Sequence, residues 1–536
     1  MDHDYLNYPY SSKQVTRFAK NGMVATSQPL AAQAGLDILK KGGNAVDAAV
    51  ATAACLTVVE PTSNGIGGDA FAIVWINGEM HGLNASGYSP KGISIDKVKA
   101  MGYDKIPKTG WLPVTVPGAP SAWSALVNRF GNLSMTEVLK PAIQYAEKGY
   151  PVSPNLSKFW QRAFDKYQEL LKGEQFKYWF ETFTVDGQPP QCGEVWNSID
   201  HAQTLKLIAE TDSEAFYRGK LAEKIVSFAK EYDGFLREKD LNSYQPEWVQ
   251  PIKVNYRGYD VWEIPPNGQG LIALMALNIL KEYNFEAKDT LDTYHKQIEA
   301  LKLAFSDGKK YITDIDEMQV KVEDLLADDY AAKRKALITD QALQPEPGTI
   351  DKGGTVYLSA ADKDGNMVSY IQSNYMGFGS GLVVPETGIA LQNRGFSFSL
   401  DKNDHNHLKP HKKPYHTIIP GFLTKDKQAI GPFGVMGGYM QPQGHLQVLM
   451  NLIDFNLNPQ AALDAPRWQW VEGKKIKVEN DFPKHIAAAL SRKGHEIKMA
   501  LDSSSFGRGQ IIFRDNESGV LKGGTEKRTD GHVALY

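Results

Sequence analysis

Cysteine is almost missing from the chain: two occur in 536 residues, Cys55 in an Ala-rich apolar stretch and Cys192 in a polar one. Two thiols neither staple a chain of this length nor complete a four-ligand zinc site. No unbroken apolar run approaches the ~20 residues of a membrane-spanning helix. The amino terminus, MDHDYLNYPYSSK, is polar and acidic and lacks the basic-then-apolar order of a secretory signal. Neither sign of charge dominates: 59 Lys plus Arg face 62 Asp plus Glu, a formal net charge of -3. No strongly basic face for nucleic acid follows from that balance. The expectation is a reduced, cytoplasmic protein with no nucleic-acid or membrane partner. What is present is ordinary for a globular chain, 42% apolar and 23% charged residues, enough for one large or two average domains.

Leu30 to Lys41 reads as a helix that stops at Gly42-Gly43, and Asn44 caps a second helix from Ala45 to Val58. Gly65-Ile-Gly-Gly-Asp69 then leads into an apolar strand, Phe71 to Ile76. A dinucleotide fingerprint runs the other way, glycines following a strand and opening a helix, so nucleotide binding is not the reading here. Leu271 to Tyr283 and Tyr294 to Tyr311 carry helical apolar spacing. From Leu337 to Gly354 periodicity fails and two prolines appear, which predicts an exposed linker.

Order returns at Thr355. TVYLSAA (355–361) and MVSYIQS (367–373) suit strands, and Asp362-Lys-Asp-Gly-Asn366 between them is a turn signal. A hairpin symmetric about Asp364 places Thr355 and Ser373 opposite each other, nine residues either side of the centre. Directly paired side chains sit about 4.5–5.5 Å apart at Cβ; a bulge would spoil the register. A threonine after Gly353-Gly354 has neighbours small enough for its Oγ to attack the preceding carbonyl. Hydrolysis of the resulting ester would free the Thr355 α-amine, whose ordinary pKa of about 7.7–8.0 suits a general base. One residue would then supply nucleophile and base. The plain alternative is a loop threonine opening a strand.

A second feature bears on that choice. Gly434-Val-Met-Gly-Gly438 follows an apolar stretch, and Leu446, Leu449, Met450 and Ile453 mark a helix face beyond it. Glycines at a strand-to-helix turn expose N–H groups near the positive helix end, where they can stabilise an oxyanion by ~3–4 kcal/mol. A tight turn with no ligand is the alternative.

These segments together resemble the γ-glutamyltransferase (glutathione hydrolase) family of N-terminal nucleophile hydrolases. The resemblance runs through GGNAVDAAVA (42–51), EPTSNGIGGDAF (60–71), VPGAP (116–120), FYRGKLAEKI (216–225), PPNGQG (265–270) and EALKLAF (299–305). It continues through the Thr355 hairpin, MGGY (436–439) and DAPRWQW (464–470). It implies an α+β fold, a four-layer αββα sandwich, cleaved between Gly354 and Thr355 into a large chain (1–354) and a small chain (355–536) interlocked as one domain. It implies a threonyl acyl-enzyme on Thr355, a second hydroxyl at Ser373 where the family usually has threonine, and an oxyanion hole at Gly437 and Gly438. No metal or organic cofactor is implied. The expected partner is a small-molecule amide, with a homo-oligomer as a further possibility.

The chain departs from the family where the glutamyl group is read. The segment that usually carries a carboxylate-binding arginine, GLNASGYSP (82–90), has Ser86 instead. The usual Asn, Gln and Asp that hold the substrate amine correspond to Tyr375, Arg394 and Ser397, and the usual serine pair to His416 and Thr417. Losing the Asp removes a counter-charge for an ammonium, and gaining Arg394 adds a planar donor for a carboxylate. The family-level substrates are γ-glutamyl compounds; a glutaryl (cephalosporin) acylase or an oxamate-type amidohydrolase is the alternative, and an unprocessed metabolite-binding descendant is another of a different class. Four histidines, His405, His407, His411 and His416, lie close in sequence but match no standard metal-ligand spacing. Gly377-Phe-Gly-Ser-Gly381 has its serine one place too late for a nucleophile elbow.

Overall fold

The computed structural model describes residues 9, 10, 14–345 and 354–536. Residues 346–353 of the expected linker, Gly353 among them, and most of the acidic amino-terminal segment lie outside the described residues. The described start of the linker departs from full exposure. Ala342 and Pro345 are buried, because Ala342 N donates to Lys493 O at 2.7 Å and Leu343 N to Glu299 Oε2 at 2.9 Å.

The early helices form where their caps put them. Pro29–Lys40 ends before the glycine pair, and Ala45–Val59 begins at Asn44, whose side chain accepts from Val46 N and Asp47 N while Asp47 bonds back to the cap. Alanines and valines bury the second helix on all sides, which permits close packing against its neighbours.

Two seven-stranded sheets, antiparallel throughout, form the middle of the molecule. One runs Arg17–Ala19, Leu521–Thr525, Arg508–Arg514, Gln428–Met436, Gly421–Lys425, Tyr259–Glu263, Ile252–Tyr256. The other runs His532–Leu535, Gly22–Thr26, Gly354–Asp362, Met367–Tyr375, Asp69–Ile76, Glu79–Ala85, Glu247–Val249. Met23, Phe71, Tyr357, Ile371, Phe422 and Ile512 fill the space between them. Outside the second sheet pack Pro29–Lys40, Ala45–Val59, Ala119–Phe130 and Met135–Lys148; outside the first pack Gly270–Leu280, Leu291–Tyr311 and Met440–Ile453. The result is a four-layer αββα sandwich. Each sheet draws strands from both sides of residue 355, so neither portion could form its sheets alone. Among the described residues no helix is long and apolar enough to cross a membrane.

Candidate active site

Strand parity decides where the hydroxyls point. Along Gly354–Asp362, Val356, Leu358 and Ala360 face the helices while Tyr357 and Ala361 face the opposite sheet; along Met367–Tyr375, Val368 and Tyr370 face the helices and Met367 and Ile371 the sheet. Thr355 and Ser373 share the second parity and lie between the sheets. Register from Val356↔Gln372 to Ala361↔Met367 follows the symmetric hairpin, but a bulge shifts the last pair to Gly354↔Tyr375. The bulge does not part the hydroxyls: Thr355 Oγ1 lies 3.1 Å from Ser373 Oγ, and both residues are buried. It does turn Tyr375 N toward Ser373 Oγ, at 2.8 Å, with Tyr375 at φ +74°, a region that bulky side chains avoid. Asp362 pins the turn, accepting from Asp364 N and Asn366 N at 3.0 Å, and from Ala45 N at 3.0 Å.

With the Gly354–Thr355 peptide bond in place, Gly354 O accepts from Ser373 Oγ at 2.6 Å and lies 2.8 Å from Thr355 Oγ1. Each hydroxyl has one proton to give. Ser373 takes the Tyr375 N–H and sends its own proton to Gly354 O, which leaves a lone pair for the Thr355 proton. Such a chain draws the proton off the nucleophile and polarises the carbonyl beside it, the two changes an N-to-O acyl shift requires.

Gly437 and Gly438 occupy the turn between strand Gln428–Met436 and helix Met440–Ile453 with φ of +135° and +61°. At Gly437 a Cβ would come 3.1 Å from Gly507 Cα, so the close approach of two backbones adds to the demand of the positive φ. Gln269, from the PPNGQG segment, fastens this turn: its Nε2 donates to Gly438 O at 2.9 Å and Thr417 O at 2.6 Å, and its Oε1 accepts from Tyr415 at 2.8 Å. Gly354 and Gly437 line one cavity of about 290 Å³, together with Gly377 of the glycine-rich run.

Behind Tyr375 lies Arg394, with no exposed surface. Its guanidinium sits 4.0 Å from the Tyr375 ring centroid, and Nη1 donates to Thr417 Oγ1 at 2.7 Å. Nε and Nη2 have no partner. Burial lowers its pKa to about 10, with Tyr375 and Asp69 pulling the other way. Burial likewise pushes the Asp69 carboxyl up to about 7, against the attraction of Arg394.

The remaining residues expected to hold substrate are placed differently. Ser397 directs its hydroxyl to the backbone, with Arg394 O at 2.9 Å and Tyr415 O at 3.0 Å. His416 has both ring nitrogens engaged: Ile418 N donates to Nδ1 at 3.3 Å, so Nε2 carries the proton toward Asp69 Oδ2 at 3.1 Å. Burial, with Arg394 and Lys413, keeps that imidazole neutral. Ser86 donates to Asn84 Oδ1 at 2.7 Å and joins a buried cluster with Asn267. These three hold the fold around Arg394 and Thr417 and have little left to offer a ligand. The other loop histidines disperse: His405 goes to Ile312 O, His407 to Asp404 O and His411 onto the Tyr88 ring. His295, Glu299 and His495 do cluster, but Lys302 Nζ already sits 2.8 Å from Glu299 Oε1, where a cation would go.

Gln269, Tyr415 and Tyr439, which lines the cavity and stacks on Tyr415, carry no catalytic signal in the sequence beyond the PPNGQG and MGGY segments that hold two of them. The family model for gamma-glutamyltranspeptidase matches residues 31–536. The chain belongs to that family. It is 37% identical to a glutathione hydrolase-like proenzyme of Bacillus subtilis, covering 95% of this chain and 97% of the other. It is 32% identical to an oxamate amidohydrolase proenzyme of Klebsiella pneumoniae, covering 96% and 98%. The crystal structure of a cephalosporin acylase from Bacillus halodurans superposes with a TM-score of 0.96 at 62% identity, covering 100% of this chain and 99% of that one. The relatives' proenzyme names match a precursor that is cut into chains, and the family makes this an N-terminal nucleophile amide hydrolase or acyltransferase.

Proposed function

We propose that the chain cuts itself before Thr355 and then hydrolyses amides whose acyl group ends in a carboxylate, a glutaryl-type acylase. In the mature enzyme Thr355 Oγ1 attacks the amide carbon while its freed α-amine takes the proton and returns it to the leaving nitrogen. The C–N bond breaks, an ester to Oγ1 remains, and water cleaves it by the same proton route to give the acid. Ser373 orients the nucleophile, and the N–H groups of Gly437 and Gly438 face the developing oxyanion.

The observation that carries the substrate assignment is Arg394. A buried guanidinium with Nε and Nη2 unused and no carboxylate in contact presents the two-pronged edge that a carboxylate accepts. It lies one residue layer from the nucleophile, against Tyr375, whose own N–H holds Ser373. The likeness to cephalosporin acylase supports the same reading. Hydrolysis of matched glutaryl, γ-glutamyl, oxamoyl and pentanoyl amides tests it. Glutaryl should lead pentanoyl and γ-glutamyl by about tenfold or more in kcat/KM, the worth of one charge-assisted contact. A lead for γ-glutamyl, or equal rates for glutaryl and pentanoyl, would overturn it.

A further inference from the structure

Gln269 has no exposed surface, and its side-chain amide is fully engaged. Nε2 donates to Thr417 O at 2.6 Å and to Gly438 O at 2.9 Å, and Oε1 accepts from the Tyr415 hydroxyl at 2.8 Å. Two carbonyls need the amide nitrogen on their side and the phenol needs its oxygen on the other, so a single orientation satisfies all three. The backbone is tied to the same stretch of chain: Gln269 N donates to His416 O at 3.0 Å, and His416 N to Asn267 O at 2.9 Å. Tyr415 in turn stacks on Tyr439, beside Gly438, with ring centroids 5.8 Å apart.

These bonds join the two ends of the acyl site. Thr417 meets Arg394 Nη1 with its side-chain oxygen and Gln269 with its carbonyl. Gly438 belongs to the turn that faces the oxyanion, and its carbonyl is shared by Gln269 and, at 3.1 Å, by Gln441 N of the following helix. Glycines at positive φ are soft in the backbone and have no side chain for the core to grip. The distance from the turn to Arg394 is therefore set by what its carbonyls are bonded to. A substrate held by a carboxylate at one end and by its carbonyl oxygen at the other reacts fastest when its chain matches that distance. Remote binding then raises kcat, because the grip is complete only in the transition state. We infer that Gln269 is a positioning residue that fixes the span from Arg394 to the oxyanion hole, and so sets the acyl chain length turned over fastest. The inference rests on the Arg394 reading of the acyl site.

Steady-state kinetics on succinyl, glutaryl and adipyl amides of one amine test it, with the pentanoyl amide as the uncharged reference. In the wild-type enzyme kcat for glutaryl should exceed that for either neighbour by about tenfold. Gln269→Met keeps the length of the side chain and removes both Nε2 donors, and self-cleavage reports that it has folded. It should lower kcat for glutaryl about tenfold, to the level of succinyl and adipyl, and leave each KM within about twofold of wild type. A role in stability alone would not single out one chain length. Tyr415→Phe spares both donors and removes only the bond that orients the amide, so it should narrow the glutaryl lead by about threefold. That variant decides the matter if Gln269→Met does not cleave itself. A flat wild-type series, a fall in kcat by the same factor at all three lengths, or a glutaryl lead untouched by the substitutions overturns the inference. Equal wild-type rates for glutaryl and pentanoyl amides would strike the Arg394 reading itself, a failure that the length series does not produce.

Discussion

Two buried arginines, Arg528 and Arg394, differ in what surrounds them. Arg528 spends all five N–H donors inside the protein: Nε and Nη2 on Glu479 at 2.7 and 2.5 Å, Nη1 on Glu526 at 2.5 Å, and the other two on Leu463 O and Ala465 O at 2.9 and 3.0 Å. Burial works against its charge, yet Glu526 and Glu479 raise its pKa. Arg467 shares Glu526 and holds Phe506 O and Gly507 O at 2.9 and 3.0 Å, so the network props the backbone that approaches Gly437. The Arg394 guanidinium makes one hydrogen bond, to a hydroxyl, and its pKa falls to about 10. An arginine saturated by its own protein serves the fold; one desolvated without a carboxylate partner has been left for something that arrives later.

The largest divergence between them should appear in stability. Arg528→Met strands Glu479 and part of Glu526 in the interior and should cost about 3–5 kcal/mol, read as a lowered midpoint in denaturant unfolding of the processed protein. Arg394→Met should leave that midpoint unchanged or raise it, since a charge without a carboxylate partner is replaced by an apolar chain. Its loss should fall on catalysis instead, by about 2–3 kcal/mol in kcat/KM for glutaryl amides, with pentanoyl amides unaffected. Equal destabilisation by the two substitutions would erase the distinction. The smallest effect concerns Asp69, held at about 7 by burial against the pull of Arg394. Raising the pH from 6 to 8 strips its proton and sets a negative charge near the guanidinium. KM for glutaryl amides should therefore rise about threefold across that window, and Asp69→Asn should flatten the profile.

How far each region could be read from the chain follows from the range of its contacts. The hairpin is local: the Asp362–Asn366 turn and the alternation on either side bring Thr355 and Ser373 together across eighteen residues. The bulge at Gly354 escaped because it depends on Ser373 Oγ taking Tyr375 N–H, a contact that the alternation does not encode. The helix caps at Asn44 and the glycine turn at 437–438 were legible for the same reason as the hairpin. The surroundings of Arg394 were not, since Asp69, Tyr375 and Thr417 reach it from three separate stretches of chain. The family resemblance marks Ser86, Ser397 and His416 as expected substrate contacts, but each meets a nearer partner in Asn84, the Arg394 carbonyl or Asp69. Position was legible there and role was not.

Intact mass measurement of purified active enzyme addresses the nucleophile most directly. Wild-type protein should yield a fragment spanning the 182 residues from Thr355 to Tyr536, with a mass increment on that fragment when a slow glutaryl amide traps the ester. Thr355→Ala should give only the 536-residue chain and no turnover. An active preparation in which every molecule retains the Gly354–Thr355 bond, or in which the acyl mass sits on another fragment, would contradict the assignment.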